Sequence, residues 1–338
     1  MTDADSLFTH GGPDALGAAA HDFSTNANAC GPCPEALERV RAADLSRYPD
    51  PAYTTLREQL AAMHGVQAWR IVLAAGASEF IRRITTWVAL EDQGRHGEVV
   101  LPAMSYGDYA ASARALGLQV VRAPHAARQP RLAWCCDPSA PLGQAEPGIG
   151  ETIDALPEGV PCVLDRAYEP LRLEGRLALK QRQLDRVWQM WSPNKALGMT
   201  GVRAAYAVAP ADAQDAVRTL LRLAASWPVG ADGVAMLSAW TQPGVQQWLR
   251  ESLVVLREWK ASQAVLCAAL GWQVWPSEAN FHVARPGGDD FAGLLGRLRS
   301  AGIKLRDCAS FGLPGHVRMG VLSPASQQAL WQAWTSAA

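Results

Sequence analysis

One lysine stands in the run Ser192-Pro193-Asn194-Lys195-Ala196-Leu197-Gly198-Met199-Thr200-Gly201-Val202-Arg203, hemmed by small, hydroxyl and apolar residues, with an arginine eight positions on. Such surroundings strip an amine of hydration and favour the neutral form that attacks a carbonyl carbon. A guanidinium, which stays charged, suits a permanent dianion such as a phosphate ester. An amine nucleophile beside a phosphate clamp points to pyridoxal phosphate held as a Schiff base. Taken alone, the segment also reads as a solvated loop followed by a surface arginine, so the rest of the chain decides.

Ligands of open α/β sheets sit beyond the carboxyl ends of strands, and four such places carry suitable groups. After the run 71–74 come Gly76, Ala77 and Ser78, whose backbone N–H groups and hydroxyl could hold a phosphate at a helix N-terminus. After 98–101 comes Tyr106, placed either to stack on a planar heterocycle or simply to start a helix half-buried. The apolar run 162–164 ends in Asp165, whose buried carboxylate needs a cation: a protonated pyridine nitrogen, or Arg166 beside it. Tyr168, three residues on, could donate to a phenolate oxygen of the same ring. The fourth place is Lys195 itself, with Ser192, Asn194 and Arg203. Farther on, Arg306 and Arg318 each punctuate a strand and suit capture of carboxylate or phosphate, or are two surface charges.

Short apolar runs and longer stretches of helical spacing alternate to position these groups. Strands are expected at 71–74, 98–101, 118–123, 132–136, 162–165, 187–191 and 204–208, and helices at 53–63, 78–90, 106–116 and 150–156. This order implies crossovers and a largely parallel sheet covered on both faces. Helical stretches follow at 211–225 and 233–270, the second broken near Pro243-Gly244. A smaller unit has strands at 272–275, 281–284, 303–306 and 316–321 and helices at 290–301 and 324–334. The first ~45 residues, rich in Asn, Gly and Pro, read as loops lying over something.

The totals bound the partners. The chain has 338 residues, 49% hydrophobic and 19% charged, with formal net charge −1, so nucleic acid is not an expected partner. No run approaches the roughly 18 apolar residues of a membrane span, and the acidic opening Met1-Thr2-Asp3-Ala4-Asp5 carries no secretory signal, so a cytoplasmic protein without membrane contact is expected. Seven scattered cysteines fit reduced thiols. Cys30-Gly31-Pro32-Cys33 supplies half of a tetrahedral zinc site at most, and no metal is expected.

Taken in order, these positions resemble the class I/II aminotransferase superfamily of pyridoxal phosphate enzymes, fold type I. Within it the chain is similar to the branch of histidinol-phosphate aminotransferases and the threonine-phosphate decarboxylases of cobalamin biosynthesis. His10-Gly11-Gly12 with Asp22-Phe23-Ser24, Arg47-Tyr48-Pro49-Asp50, and Arg306-Asp307 with Ser310-Phe311-Gly312-Leu313-Pro314-Gly315-His316-Val317-Arg318 resemble the decarboxylase side in particular.

The resemblance implies an N-terminal arm with part of the small domain at 1–44, a large cofactor-binding α/β domain at 45–235, and a smaller α/β C-terminal domain at 236–338. It implies Lys195 as the Schiff-base lysine, Asp165 on the pyridine nitrogen and Tyr168 on the ring hydroxyl. Tyr106 would stack on the ring, with Gly76, Ala77, Ser78, Ser192, Asn194 and Arg203 around the phosphate. Tyr48 would reach the phosphate of the partner subunit in a homodimer. Asn26 and Arg318 would hold the substrate carboxylate, with Arg306 and His10 near a second anionic group. Decarboxylation of a phosphorylated amino acid such as L-threonine-O-3-phosphate is the first reading, transamination of the histidinol-phosphate type the alternative, and a non-catalytic binding protein of this fold the third. Retention of Lys195, Asp165 and Tyr168 together counts against the third. One departure stands out: Ala140, in Asp137-Pro138-Ser139-Ala140-Pro141-Leu142-Gly143, replaces an asparagine that in relatives bonds the ring hydroxyl.

Overall fold

The computed structural model describes residues 10–92, 97–122, 127–287 and 290–336. After a short strand β1 (His21–Asp22), seven strands build the central sheet. They are β2 (Ile71–Ala74), β3 (Glu98–Val100), β4 (Gln119–Val121), β5 (Pro130–Cys136), β6 (Cys162–Asp165), β7 (Trp188–Trp191) and β8 (Ala205–Val208), in the spatial order β2-β8-β7-β6-β5-β3-β4. β8 runs against both of its neighbours; every other pair in this sheet is parallel. The expected largely parallel sheet is present, and its strands read as unbroken apolar runs because both faces are covered. Along β2 the side chains alternate: Ile71 and Leu73 pack with Trp191, Tyr206 and Val208, whereas Val72 and Ala74 pack with Val163, Trp188 and Met190. Ala123, the end of one expected strand, lies outside the described residues.

Two differences from expectation have physical reasons. The N-terminal segment is not all loop: helix α1 (Pro34–Arg41) starts on Pro34, whose fixed φ suits the first helical turn. The expected strand 303–306 is two strands. β11 (Ile303–Lys304) pairs in parallel with β1, and β12 (Arg306–Asp307) pairs with β13 (Val317–Gly320), Leu305 carrying the chain from one partner to the other. With β9 (Gln273–Val274) and β10 (Phe281–Arg285), β12 and β13 form a four-stranded antiparallel sheet of order β12-β13-β10-β9. As expected, the long helical stretch is broken near Pro243, into Ala231–Trp240 and Pro243–Ala269.

Two further helices seat the site: α2 (Thr54–His64) and α3 (Ala77–Asp92). α3 buries Phe80, Ile81 and Ile84 completely, each contributing roughly 1.5–3 kcal/mol over its exposed state. Arg83 on its next turn donates to the Leu73 carbonyl at 2.7 Å. Together these hold the first turn of α3, Ala77 and Ser78, at the end of β2.

His64 closes α2 with a pH-dependent contact. The Tyr206 hydroxyl accepts from Trp240 Nε1 at 3.1 Å and lies 2.9 Å from His64 Nε2, the imidazole tautomer setting which of the two donates. Burial, and then the positive charge of Arg166, lowers the imidazole from 6.5 to about 4. The folded state therefore binds fewer protons than the unfolded chain once pH drops below the ordinary imidazole value. This contribution to stability is present above pH 6.5 and is lost as pH falls toward 4, with a slope of up to about 1.4 kcal/mol per pH unit. His64→Gln should flatten the fall of melting temperature across that window relative to the wild-type chain, as followed by circular dichroism.

Candidate active site

Lys195 sits in the turn that follows β7. Ser192 Oγ donates to Asn194 Oδ1 at 3.0 Å, Asn194 Nδ2 donates to the Val202 carbonyl at 3.3 Å, and Met199 N–H reaches the Asn194 carbonyl at 2.8 Å. Ser192 and Asn194, expected around a phosphate, thus turn their polar atoms inward and brace the lysine turn. Lys195 is half-buried, its Nζ 5.5 Å from the centre of the Tyr168 ring. That ring stands edge-on to Phe281 at 4.7 Å, and its hydroxyl accepts from Asn26 Nδ2 at 3.4 Å.

Asp165 ends β6 and is 6% exposed. Its Oδ1 accepts the Ala167 N–H at 2.8 Å and its Oδ2 accepts the Tyr109 hydroxyl. Burial pushes the carboxyl pKa up, against the Tyr109 bond, the Ala167 amide and the positive charge of Lys195, which pull it down. The open alternative of an Asp165–Arg166 ion pair is not what forms. The Arg166 guanidinium goes to Gln189 at 2.8 Å and Glu169 at 3.3 Å and lies 4.2 Å over the Trp191 ring. Among the described residues Asp165 has no ion-pair partner, and a buried carboxylate in that state is what a protonated ring nitrogen satisfies.

Sequence reasoning missed Tyr109, the residue that donates to Asp165. Helix α4 (Gly107–Ala115) follows Tyr106, and a three-residue spacing places Tyr106 and Tyr109 on one face, their rings perpendicular at 5.8 Å. Tyr109 also stacks on Trp134 of β5 at 4.3 Å, which fixes its hydroxyl under Asp165. The signal was the Tyr-x-x-Tyr spacing itself.

On the phosphate side, Gly76 has φ +123°, and a Cβ there would lie 2.7 Å from Arg203 Nη2. Only glycine lets that guanidinium close on the turn opening α3. Ser78 Oγ, 2.5 Å from Asp108 Oδ2 and 3.4 Å from the Tyr106 hydroxyl, completes the cradle. Burial raises the Tyr106 hydroxyl pKa, so it stays a neutral donor.

The acidic-substrate side is built on adjacent strands: Arg306 of β12 faces Arg318 of β13. Both are buried, and both guanidinium groups stand over the Phe311 ring, at 5.1 and 5.5 Å. Arg306 donates to the Asp307 carbonyl and Ser310 Oγ, and burial, then the charge of Arg318, lowers its pKa. Arg318 lies 5.7 Å over Phe281, reaches the Ser24 carbonyl at 3.4 Å, and keeps a buried Nε without a hydrogen-bond partner among the described residues. The buried Oδ1 of Asn26 is likewise without one. His10 is exposed, 6.4 Å from the Tyr106 ring. Tyr48 is not brought into this cluster; it is 77% exposed and stacks on Trp227 at 4.4 Å. Ala140 is buried with Tyr168, Phe281, Cys136 and Ala279, so apolar packing fills the place expected of an amide.

An unpaired buried acid, a half-buried lysine beside it, a glycine-arginine cradle and two unfilled polar atoms all fit pyridoxal phosphate with an acidic amine. The sequence profile of aminotransferase class I and II matches residues 20–333. The chain belongs to this aminotransferase family. Histidinol-phosphate aminotransferase of Symbiobacterium thermophilum is 29% identical to it, covering 90% of this chain and 87% of the relative. Aromatic amino acid aminotransferase of Thermobifida fusca is 30% identical, covering 89% and 86%. In fold, the chain is similar to histidinol-phosphate aminotransferase of Sinorhizobium meliloti, solved with pyridoxal-5'-phosphate, at TM-score 0.82, 22% identity and 100% and 98% coverage. It is also similar to L-threonine-O-3-phosphate decarboxylase of Porphyromonas gingivalis at TM-score 0.70, 22% identity and 92% and 96% coverage.

For this aminotransferase, Tyr109→Phe should keep the Trp134 stack and remove one donor to Asp165. Losing that bond raises the Asp165 carboxyl further, so the acid limb of the pH–rate profile moves to higher pH. Near neutrality kcat should fall about tenfold, the size of one hydrogen bond to a charged group. A pH series of steady-state rates for both proteins checks this.

Proposed function

We propose that this aminotransferase is a pyridoxal phosphate enzyme that moves an amino group between a phosphorylated amine of the histidinol-phosphate type and an acidic oxo acid, working as a homodimer. The observation that carries the reading is the buried cross-strand pair Arg306 and Arg318, two like charges held together with Arg318 Nε unfilled. Such a pair calls for an anionic substrate, and its fork geometry suits carboxylate and phosphate alike. The relatives' names support transamination over the decarboxylation that the N- and C-terminal motifs put first: both sequence relatives above are aminotransferases, and the decarboxylase is a neighbour in fold. The exposed Tyr48–Trp227 stack supports the homodimer, since an aromatic pair at the surface is what a second subunit would cover.

When bound, pyridoxal phosphate supplies an electrophilic aldehyde and a ring that accepts electron density from the substrate α-carbon. Arg203, Ser78 and the backbone at Gly76 and Ala77 would hold its phosphate, Asp165 its ring nitrogen, Tyr168 its ring hydroxyl, Tyr106 its face. Lys195 Nζ would take up the substrate's α-proton and hold it for return, as a general acid and base. Arg318 holds the acid group of the substrate, which decides whether the hydrogen or the carboxylate is the group that leaves. The apolar walls of Phe281 and Phe311 exclude water around that contact.

Incubating the loaded protein with histidinol phosphate and 2-oxoglutarate should yield glutamate, with no CO₂ released from threonine phosphate. Release of CO₂ from threonine phosphate without amino transfer would replace this reading with decarboxylation.

A further inference from the structure

The turn that carries Lys195 is gripped from one side by the segment 28–33. Asn28 N–H donates to the Lys195 carbonyl at 2.9 Å, Asn28 Nδ2 to the Ala196 carbonyl at 3.1 Å, and Cys33 N–H to the Leu197 carbonyl at 2.9 Å. Three consecutive carbonyls are thus satisfied by one arm. The two backbones also touch: a Cβ on Gly31 would lie 3.0 Å from the Gly198 Cα, and Gly198 itself has φ +68°. Only two glycines permit this approach.

The Asn28 carboxamide is fully used. It is 2% exposed; its second N–H donates to Ser252 Oγ at 2.7 Å, and its Oδ1 accepts the Cys30 N–H at 3.0 Å. Because a carbonyl only accepts and an amide N–H only donates, these partners fix which way the amide points. Ser252 in turn donates to the Leu249 carbonyl at 2.8 Å, so the arm is anchored in the helix Pro243–Ala269. Two residues before Asn28, Asn26 reaches the Tyr168 hydroxyl, and Ser24 takes Arg318. One short segment therefore touches the lysine turn, the ring-hydroxyl tyrosine and the acid-binding arginine.

We propose that Asn28 is a positioning residue for Lys195: its carboxamide fixes the main chain from which the amine projects, and so sets how readily Nζ meets the aldehyde and the substrate carbon. The inference rests on Lys195 being the residue that carries pyridoxal phosphate, and not on which amine is the substrate. A locked supporting residue of this kind acts on rate, since a misplacement of about 1 Å costs on the order of a hundredfold.

The test uses the full chain stripped of cofactor. On addition of pyridoxal phosphate, the visible band of lysine-bound cofactor should grow about tenfold more slowly in Asn28→Ala than in wild type, with kcat lowered about ten- to a hundredfold and KM within about threefold. Ser252→Ala, which cuts the helix anchor and leaves the bond to Ala196, should hold both rates within about threefold of wild type. If Asn28→Ala does not fold, Asn28→Asp, of equal size, faces the Ala196 carbonyl with an oxygen and should show the same slow attachment. Attachment and kcat at wild-type values in the folded Asn28 variant would overturn the proposal, as would equal deficits in Asn28→Ala and Ser252→Ala. Failure of the function reading shows separately: wild-type protein would form the band at its normal rate and yet turn over no phosphorylated amine.

Discussion

Asp165→Asn should lower kcat/KM by about a hundred- to a thousandfold, the usual cost of removing one preorganised electrostatic contact from a water-poor site. The carboxylate is buried, accepts from Tyr109 and Ala167, and has no ion-pair partner among the described residues. The use proposed for its charge is to keep a ring nitrogen protonated and the ring able to draw electrons. The amide keeps the shape and removes the charge. Taking an unpaired charge out of the interior relieves its desolvation, so the melting temperature of the variant should equal or exceed that of wild type. Steady-state kinetics beside thermal melts separate this from a folding defect. A variant within threefold of wild-type kcat/KM would show that the acid has no part in the chemistry.

Arg318→Gln should raise KM for glutamate by about a hundredfold or more, because truncating one side of a buried charge pair costs about 2–5 kcal/mol. Glutamine can still reach the Ser24 carbonyl, so the local fold survives. The effect on KM should exceed that on kcat, since the contact exists before the proton moves. Arg318→Lys should restore little: an ammonium on a flexible stem cannot present the two parallel N–H groups that the buried, partnerless Nε edge offers. Initial rates over a range of glutamate concentrations for the three proteins check it, and an unchanged KM in Arg318→Gln would move the acid-binding role elsewhere.

What was legible in the sequence is what strand ends make legible. Asp165 is the last of four buried strand residues, Lys195 follows in the turn after another such run, and Gly76 stands where β2 turns into α3. These positions are set by local pattern and by the rule that sites gather at strand ends. Tyr109 was hidden because its role depends on helix phase and on Trp134 from a different strand. The facing of Arg306 and Arg318 depends on antiparallel register, which no single run encodes. The grip of Asn28 on the lysine turn joins residues more than 160 apart (|i−j| = 168 for Asn28 and Ala196). Ser192 and Asn194 stand beside the lysine, where their side chains bond to each other and to the Val202 carbonyl. The choice between losing a proton and losing CO₂ is set by the orientation of one bond, and motifs shared by both activities do not record it.

The most direct test of the whole account is the site of covalent attachment. Protein loaded with pyridoxal phosphate, reduced with borohydride, digested and measured by mass spectrometry should carry the phosphopyridoxyl group on the peptide containing Lys195, and Lys195→Ala should carry none. The group on another lysine, or no adduct at all in the loaded wild-type protein, would contradict it.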